Sequence, residues 1–169
     1  MAVRAGIAMG SNLGNRLTNL RQARNLLLKL MPEGTKNLQA PIYISSPVNC
    51  PPDSPDFFNS VVEIDYVGTP HELLKATQGI EFHLGRLAVY QANAPRVIDL
   101  DILYFDDVTI DADVLTIPHP RLIYRRFVLQ PLADIRPDLI LPGDVTTIGE
   151  HYRKLDSGEP ELTLLQSAW

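Results

Sequence analysis

One cysteine, Cys50, and one tryptophan occur in the 169 residues of this chain. A lone cysteine excludes an intrachain disulfide and a thiolate metal cluster, so an intracellular, cytoplasmic setting is expected. Basic charge is also short, with 15 Lys and Arg against 20 Asp and Glu and a formal net charge of -5 at pH 7. That balance argues against a nucleic-acid partner, which needs a clustered basic excess. No apolar run approaches the roughly 18 residues of a membrane span, and no basic stretch leads into a long apolar one near the start, so no membrane partner is expected. Repeats, low-complexity tracts and long linkers are missing as well. With 45% hydrophobic residues, the chain fits one domain over 1–169, with 157–169 as a tail of uncertain order.

What is present begins with arginine, which outnumbers lysine eleven to four. A guanidinium offers a planar fork of donors suited to carboxylate and phosphate, so local anion clamps on an acidic protein are expected. Arg4 to Met9 reads as a strand running into the small-residue turn Gly10-Ser11-Asn12-Leu13-Gly14. That turn lacks the Gly-Lys-Ser/Thr ending of a phosphate loop, so a plain strand-to-helix turn is expected. Asn15 then caps a helix with an apolar stripe at Leu17, Leu20, Ala23, Leu27 and Leu30, stopped by Pro32 and Gly34. A strand over about 39–46 leads to a proline-rich loop, 47–55, able to lie over a site as a flap. Phe57 to Tyr66 alternates, with Phe58, Val62, Ile64 and Tyr66 facing the core and Phe57, Asn59, Val61, Glu63 and Asp65 on a more polar face away from it. Thr69-Pro70-His71-Glu72 is a capping box opening a helix that ends at Gly85. Short strands at 108–110 and 115–117 and a helical segment after Pro118 complete the order. Strand-helix-strand-strand-helix-strand predicts an α+β fold with a ferredoxin-like core, a mainly antiparallel sheet flanked by helices, with an added hairpin and C-terminal helices.

The segment 93–103 is the most informative, because Asp99 and Asp101 alternate with Ile98, Leu100 and Ile102. Alternation puts both carboxylates on one strand face. On a wet face the pair would simply be two solvated carboxylates. On a half-buried face its repulsion calls for a strong cation, and Mg²⁺ suits hard oxygen ligands supplied partly by phosphates. Arg96, at the strand's entrance, could grip the same phosphates. A phosphoesterase using the pair to activate water stays open beside a phosphotransferase.

These pieces together resemble 6-hydroxymethyl-7,8-dihydropterin pyrophosphokinase, an enzyme family of folate biosynthesis. The resemblance rests on Pro95-Arg96-x-x-Asp99-Leu100-Asp101-Ile102-Leu103, on Gly10-Ser11-Asn12-Leu13-Gly14, on Tyr43-x-Ser45 and its proline loop, and on Phe57-Phe58-Asn59. Glu81-x-x-x-Gly85-Arg86 and Pro118-His119-Pro120-Arg121 leading to Arg125-x-Phe127 extend it to about 5–142. It implies Mg²⁺-dependent transfer of a diphosphate from ATP, the co-substrate, to the hydroxymethyl oxygen of the pterin, releasing AMP. It implies Asp99 and Asp101 as ligands of two Mg²⁺ ions, and Arg86, Arg96, Asp99 and Asp101 as the catalytic set. ATP would lie against Glu81, Arg86, Arg96, Ile102, Thr116, His119 and Arg125. The pterin would lie against Ser45, Val48, Phe57, Asn59, Asp99 and Phe127, with the two phenylalanines as ring faces. Partners would be these small molecules and, by association, other folate-pathway enzymes. Ala88 and Asn93 stand where some members carry an arginine and a tryptophan. That departure keeps open a homologue that binds nucleotide and pterin with weak or no turnover.

Overall fold

In the computed structural model the described residues are 1–47, 49–85 and 95–169. The capping box forms as expected. Thr69 Oγ1 accepts from the Glu72 N–H and Glu72 Oε2 accepts from the Thr69 N–H, opening α2 (Pro70–His83) with proline in its first turn. Asn15 likewise accepts from the Thr18 N–H, 3.0 Å, at the start of α1 (Arg16–Leu28), whose buried stripe is Leu20, Ala23 and Leu27. The helix ends one turn before the proline, so Leu30 lies just beyond it.

Five strands, β1 (Val3–Ser11), β3 (Ile42–Ser45), β4 (Phe57–Tyr66), β5 (Asp99–Phe105) and β8 (Thr163–Gln166), form an antiparallel sheet in the order β5-β1-β4-β3-β8. The two-residue β2 (Leu38–Gln39) adds to β4, and β6 (Ile110–Ala112) pairs with β7 (Leu115–Ile117) in a separate hairpin. Without β8, the order is that of the expected ferredoxin-like core. The strand expected over 39–46 is split at Pro41, which has no N–H to give to a ladder. A 3₁₀ turn (Leu122–Tyr124) precedes α3 (Arg126–Ile135), and α4 (Ile148–Lys154) follows.

The sheet is covered on both faces. Leu20, Ala23 and Leu27 of α1 and Leu73 and Ile80 of α2 pack with Ile7, Val62, Ile64 and Ile102 on one side. Val128, Leu129 and Leu132 of α3 and Ile148 of α4 pack with Val61, Leu103 and Tyr104 on the other. The polar face expected on β4 therefore lies under a second core. Glu63 on that face is fully buried and accepts hydrogen bonds from Arg4, Arg136 and the Tyr104 hydroxyl. Gly6 makes room for this network, since a Cβ there would fall 2.2 Å from the Tyr104 ring. The segment expected as an uncertain tail is also built in. β8 extends the sheet beside β3, and the Trp169 ring donates Nε1–H to Ala40 O at 2.7 Å and lies under the Arg24 guanidinium, 4.7 Å from its centroid.

Candidate active site

Beyond the end of the α3-side core, the same sheet face opens into a cavity of about 990 Å³. Strand register dictates what its floor presents. Gly10 of β1 pairs with Asn59 of β4 on one side and Asp99 of β5 on the other, and Ala8 pairs with Val61 and Asp101. Neighbouring strands lie about 4.8 Å apart. The amide of Asn59 and the carboxylate of Asp99 thus flank one glycine, with the second carboxylate two rungs along on the same face. A Cβ at position 10 would come 3.3 Å from Asn59 Oδ1, so any larger residue would have to push that amide aside by a few tenths of an ångström.

On the Asn59 side, Asn59 Nδ2 donates to Ser45 Oγ at 2.6 Å in a buried contact, and Phe57 faces the cavity from the rung opposite Ser45. Phe127, in the first turn of α3, contributes a second aromatic wall. Cation and ring are coupled, for the Arg125 guanidinium lies 5.5 Å from the Phe127 centroid. Burial is the main cause lowering the Arg125 pKa, with Arg121 adding to it, while Asp101, Glu159 and Asp99 oppose.

On the Asp99 side, Arg96 Nη1 donates to Asp99 Oδ2 at 2.9 Å with both side chains mostly buried. The strand's entrance is held by the small-residue turn. Asn12 Oδ1 accepts from the Arg96 N–H at 2.8 Å, and the Asn12 N–H donates to Arg96 O at 3.1 Å. The turn therefore acts as a plain strand-to-helix connection that also braces the arginine. Glu81, near the end of α2, is buried and accepts the Leu100 N–H at 3.1 Å, tying α2 to the aspartate strand.

His119 is the neutral member of the site. Burial, then Arg125 and Arg121, lowers its pKa to about 4 against the weaker opposing pull of Asp99. Its Nδ1 accepts from the Arg121 N–H at 3.2 Å, which assigns the proton to Nε2. A neutral imidazole so arranged is a hydrogen-bond donor toward an anion at neutral pH.

Ser45, Phe57, Asn59, Glu81, Arg96, Asp99, Asp101, His119, Arg125 and Phe127 all line this one cavity. Ile102 and Thr116 do not. The Ile102 side chain is in the α1/α2-side core and Thr116 is on the β6–β7 hairpin. Val48, Arg86, Ala88 and Asn93 lie outside the described residues. Gln78, Phe82 and Glu159 line the cavity although the sequence did not point to them, and Arg121, quoted only within its motif, lines it too. For Gln78 and Phe82 a signal existed, since they lie three residues before and one after Glu81; Glu159 had none.

Among the described residues no group of three or more His, Cys, Asp or Glu side chains could hold a metal ion. Two strand carboxylates fit an ion that completes its shell with phosphate oxygens and water, rather than one caged by protein alone. No helix among the described residues is long and apolar enough to cross a membrane.

A family model for 7,8-dihydro-6-hydroxymethylpterin-pyrophosphokinase matches residues 6–137. The chain is 40% identical over 142 residues to 2-amino-4-hydroxy-6-hydroxymethyldihydropteridine pyrophosphokinase of Pseudomonas aeruginosa, covering 84% of this chain and 86% of the relative. Identity to the Bacillus subtilis protein of the same name is 44% over 131 residues, covering 78% and 77%. It is also 38% identical over 154 residues to the folic acid synthesis protein fol1 of Schizosaccharomyces pombe, where it covers 90% of this chain but only 20% of the relative. The chain thus spans about a fifth of the length of that fungal protein. In fold it resembles a crystal structure of Plasmodium falciparum HPPK-DHPS, with a TM-score of 0.68 at 15% identity, covering 91% of this chain and 43% of the other.

Proposed function

Since this chain belongs to the 7,8-dihydro-6-hydroxymethylpterin-pyrophosphokinase family, we propose that it transfers a diphosphate from ATP to the hydroxymethyl oxygen of 6-hydroxymethyl-7,8-dihydropterin, releasing AMP, as a cytoplasmic step of folate biosynthesis. The observation that carries this reading is the Asn59–Gly10–Asp99 rung, which sets a ring-binding wall directly beside an acid pair.

Phe57 and Phe127 supply flat apolar faces, and the Asn59 amide with Ser45 supplies directional partners for a heterocycle's polar edge. Asp99, between the two halves, also borders the pterin. Val48 is assigned to the pterin, and Arg86, Ile102 and Thr116 to the nucleotide, on the family resemblance alone. Asp99 and Asp101 would hold two Mg²⁺ ions, which when bound offset the charge of the triphosphate and of the displacement at its β-phosphorus. Arg96 and Arg125 grip phosphate oxygens, and His119 donates from Nε2 without adding charge. Glu81 works on the nucleotide side by fixing the β5 backbone. Catalysis by such residues is positioning and fixed electrostatics, because breaking and forming P–O bonds needs no covalent help from the protein. No observation on the described residues favours the non-catalytic alternative. Docking with other folate-pathway enzymes is part of this proposal, and it is supported by the greater length of several relatives.

The test is to incubate the protein with Mg-ATP and 6-hydroxymethyl-7,8-dihydropterin and follow phosphorus resonances. AMP and a pterin diphosphate should form without ADP, and chelating Mg²⁺ should stop the reaction. Nucleotide hydrolysis indifferent to pterin would point instead to a phosphoesterase, and bound ligands without turnover to a binder.

A further inference from the structure

The stretch from Leu155 to Gln166 follows α4, passes the Phe127 end of the cavity and joins the sheet as β8 beside β3. It lies wholly outside the region matched by the family model, which ends at residue 137. We propose that this stretch is a strap across the pterin end of the cavity, and that Glu159 within it is a positioning residue that fixes the start of α3 and with it Phe127.

Phe127 lies in the first turn of α3, yet the N-cap of that helix, Arg125, makes no side-chain cap hydrogen bond. The opening N–H groups of a helix have no partners within it. Glu159 supplies one from far along the chain, with Oε2 accepting the Arg126 N–H at 3.2 Å, and an acid there also suits the helix dipole. The strap is itself braced, because the Glu159 N–H donates to Ser157 Oγ at 3.2 Å. At its far end β8 pairs Tyr43 with Leu164 and Ile44 with Thr163, next to Ser45. One strap thereby links the strand bearing Ser45 to the helix bearing Phe127, the two walls between which the proposed ring lies. Glu159 also borders the cavity and acts on the charge of Arg125.

The inference rests on the proposed pterin and nucleotide reading of the cavity, and its test separates the two. Glu159→Ala removes the acceptor, whereas Glu159→Gln keeps an oxygen in place of the carboxylate. Glu159→Ala should raise KM for the pterin on the order of fivefold, the size of a lost helix cap, with kcat within about twofold. Amide exchange at Arg126 in the ligand-free protein should speed up by a similar factor. Glu159→Gln should restore both. Unchanged KM and exchange in Glu159→Ala, or a glutamine variant as impaired as the alanine one, would overturn the role. If the wild-type protein turned over no pterin, the functional reading would fail while Arg126 exchange still decided whether Glu159 positions α3.

Discussion

Replacing Glu63 by alanine is expected to lower folding stability by about 2–4 kcal/mol, and the arithmetic follows from which partners can regain water. Glu63 is fully buried and receives Arg4, Arg136 and the Tyr104 hydroxyl. The Arg4 side chain is 43% exposed and keeps Asp65 at 3.1 Å, so its loss is small. The Arg136 side chain, at 30% exposure, can also turn outward. Tyr104 cannot, being 2% exposed and packed on Gly6. Burial and then the Glu63 charge push its phenol pKa up, so it stays a donor. Orphaning that donor costs about 1–3 kcal/mol. Emptying the side-chain space adds about 1–2 kcal/mol, and removing a buried carboxylate's desolvation penalty gives part of this back. With a urea m-value of about 2 kcal/mol/M, the unfolding midpoint should fall by roughly 1–2 M. Adding Tyr104→Phe should make the double variant about 1 kcal/mol more stable than the sum of the single losses. A midpoint shift under about 0.3 M, or strict additivity, would refute the view that Glu63 is a buried hub.

Arg96→Ala should lower kcat by a factor equivalent to about 2–4 kcal/mol if the guanidinium meets charge developing on the phosphates, and a change confined to KM in steady-state assays would make it a ground-state clamp. Asn12→Ala, away from the cavity lining, removes the acceptor of the Arg96 N–H, so a stability loss of about 1–2 kcal/mol accompanied by reduced kcat is expected; loss of stability with full activity would separate the brace from the chemistry. His119, with its pKa lowered from 6.5 to about 4, is neutral in the folded state across a range where the unfolded chain takes up a proton. Wild-type stability should therefore fall between pH 6.5 and 4 relative to His119→Gln, and parallel urea-midpoint curves for the two across that window would disprove the shift.

Much of this molecule is written locally. The Asn15 cap, the Thr69–Glu72 box and the period-two run around Asp99 and Asp101 each depend on residues within a turn or a rung of one another. Fixed spacing therefore announces the elements, and the joint spacing of several motifs announces the family. The order of those elements then predicts the ferredoxin-like sheet, because short connections leave few ways to lay out two strand-helix-strand units.

Contacts between distant segments were decided only by folding. Glu63 occupies a polar position in its strand's alternation, yet α3 and α4 close over that face and turn a surface expectation into a buried hub. Glu81 stands out in the sequence only through its family motif, and it takes the arrival of β5 to give it the Leu100 N–H. Glu159 lies in a stretch without apolar periodicity, and its partner at Arg126 is 33 residues away. Sequence by itself determined which side-chain chemistries are at hand, the alternating carboxylates of Asp99 and Asp101 and an excess of arginine among them, since these are matters of composition and nearby spacing. Tertiary structure alone decided that Asn59, Gly10 and Asp99 share one rung and which carboxylates are buried, because register and burial arise from strands and helices that meet only in the folded chain.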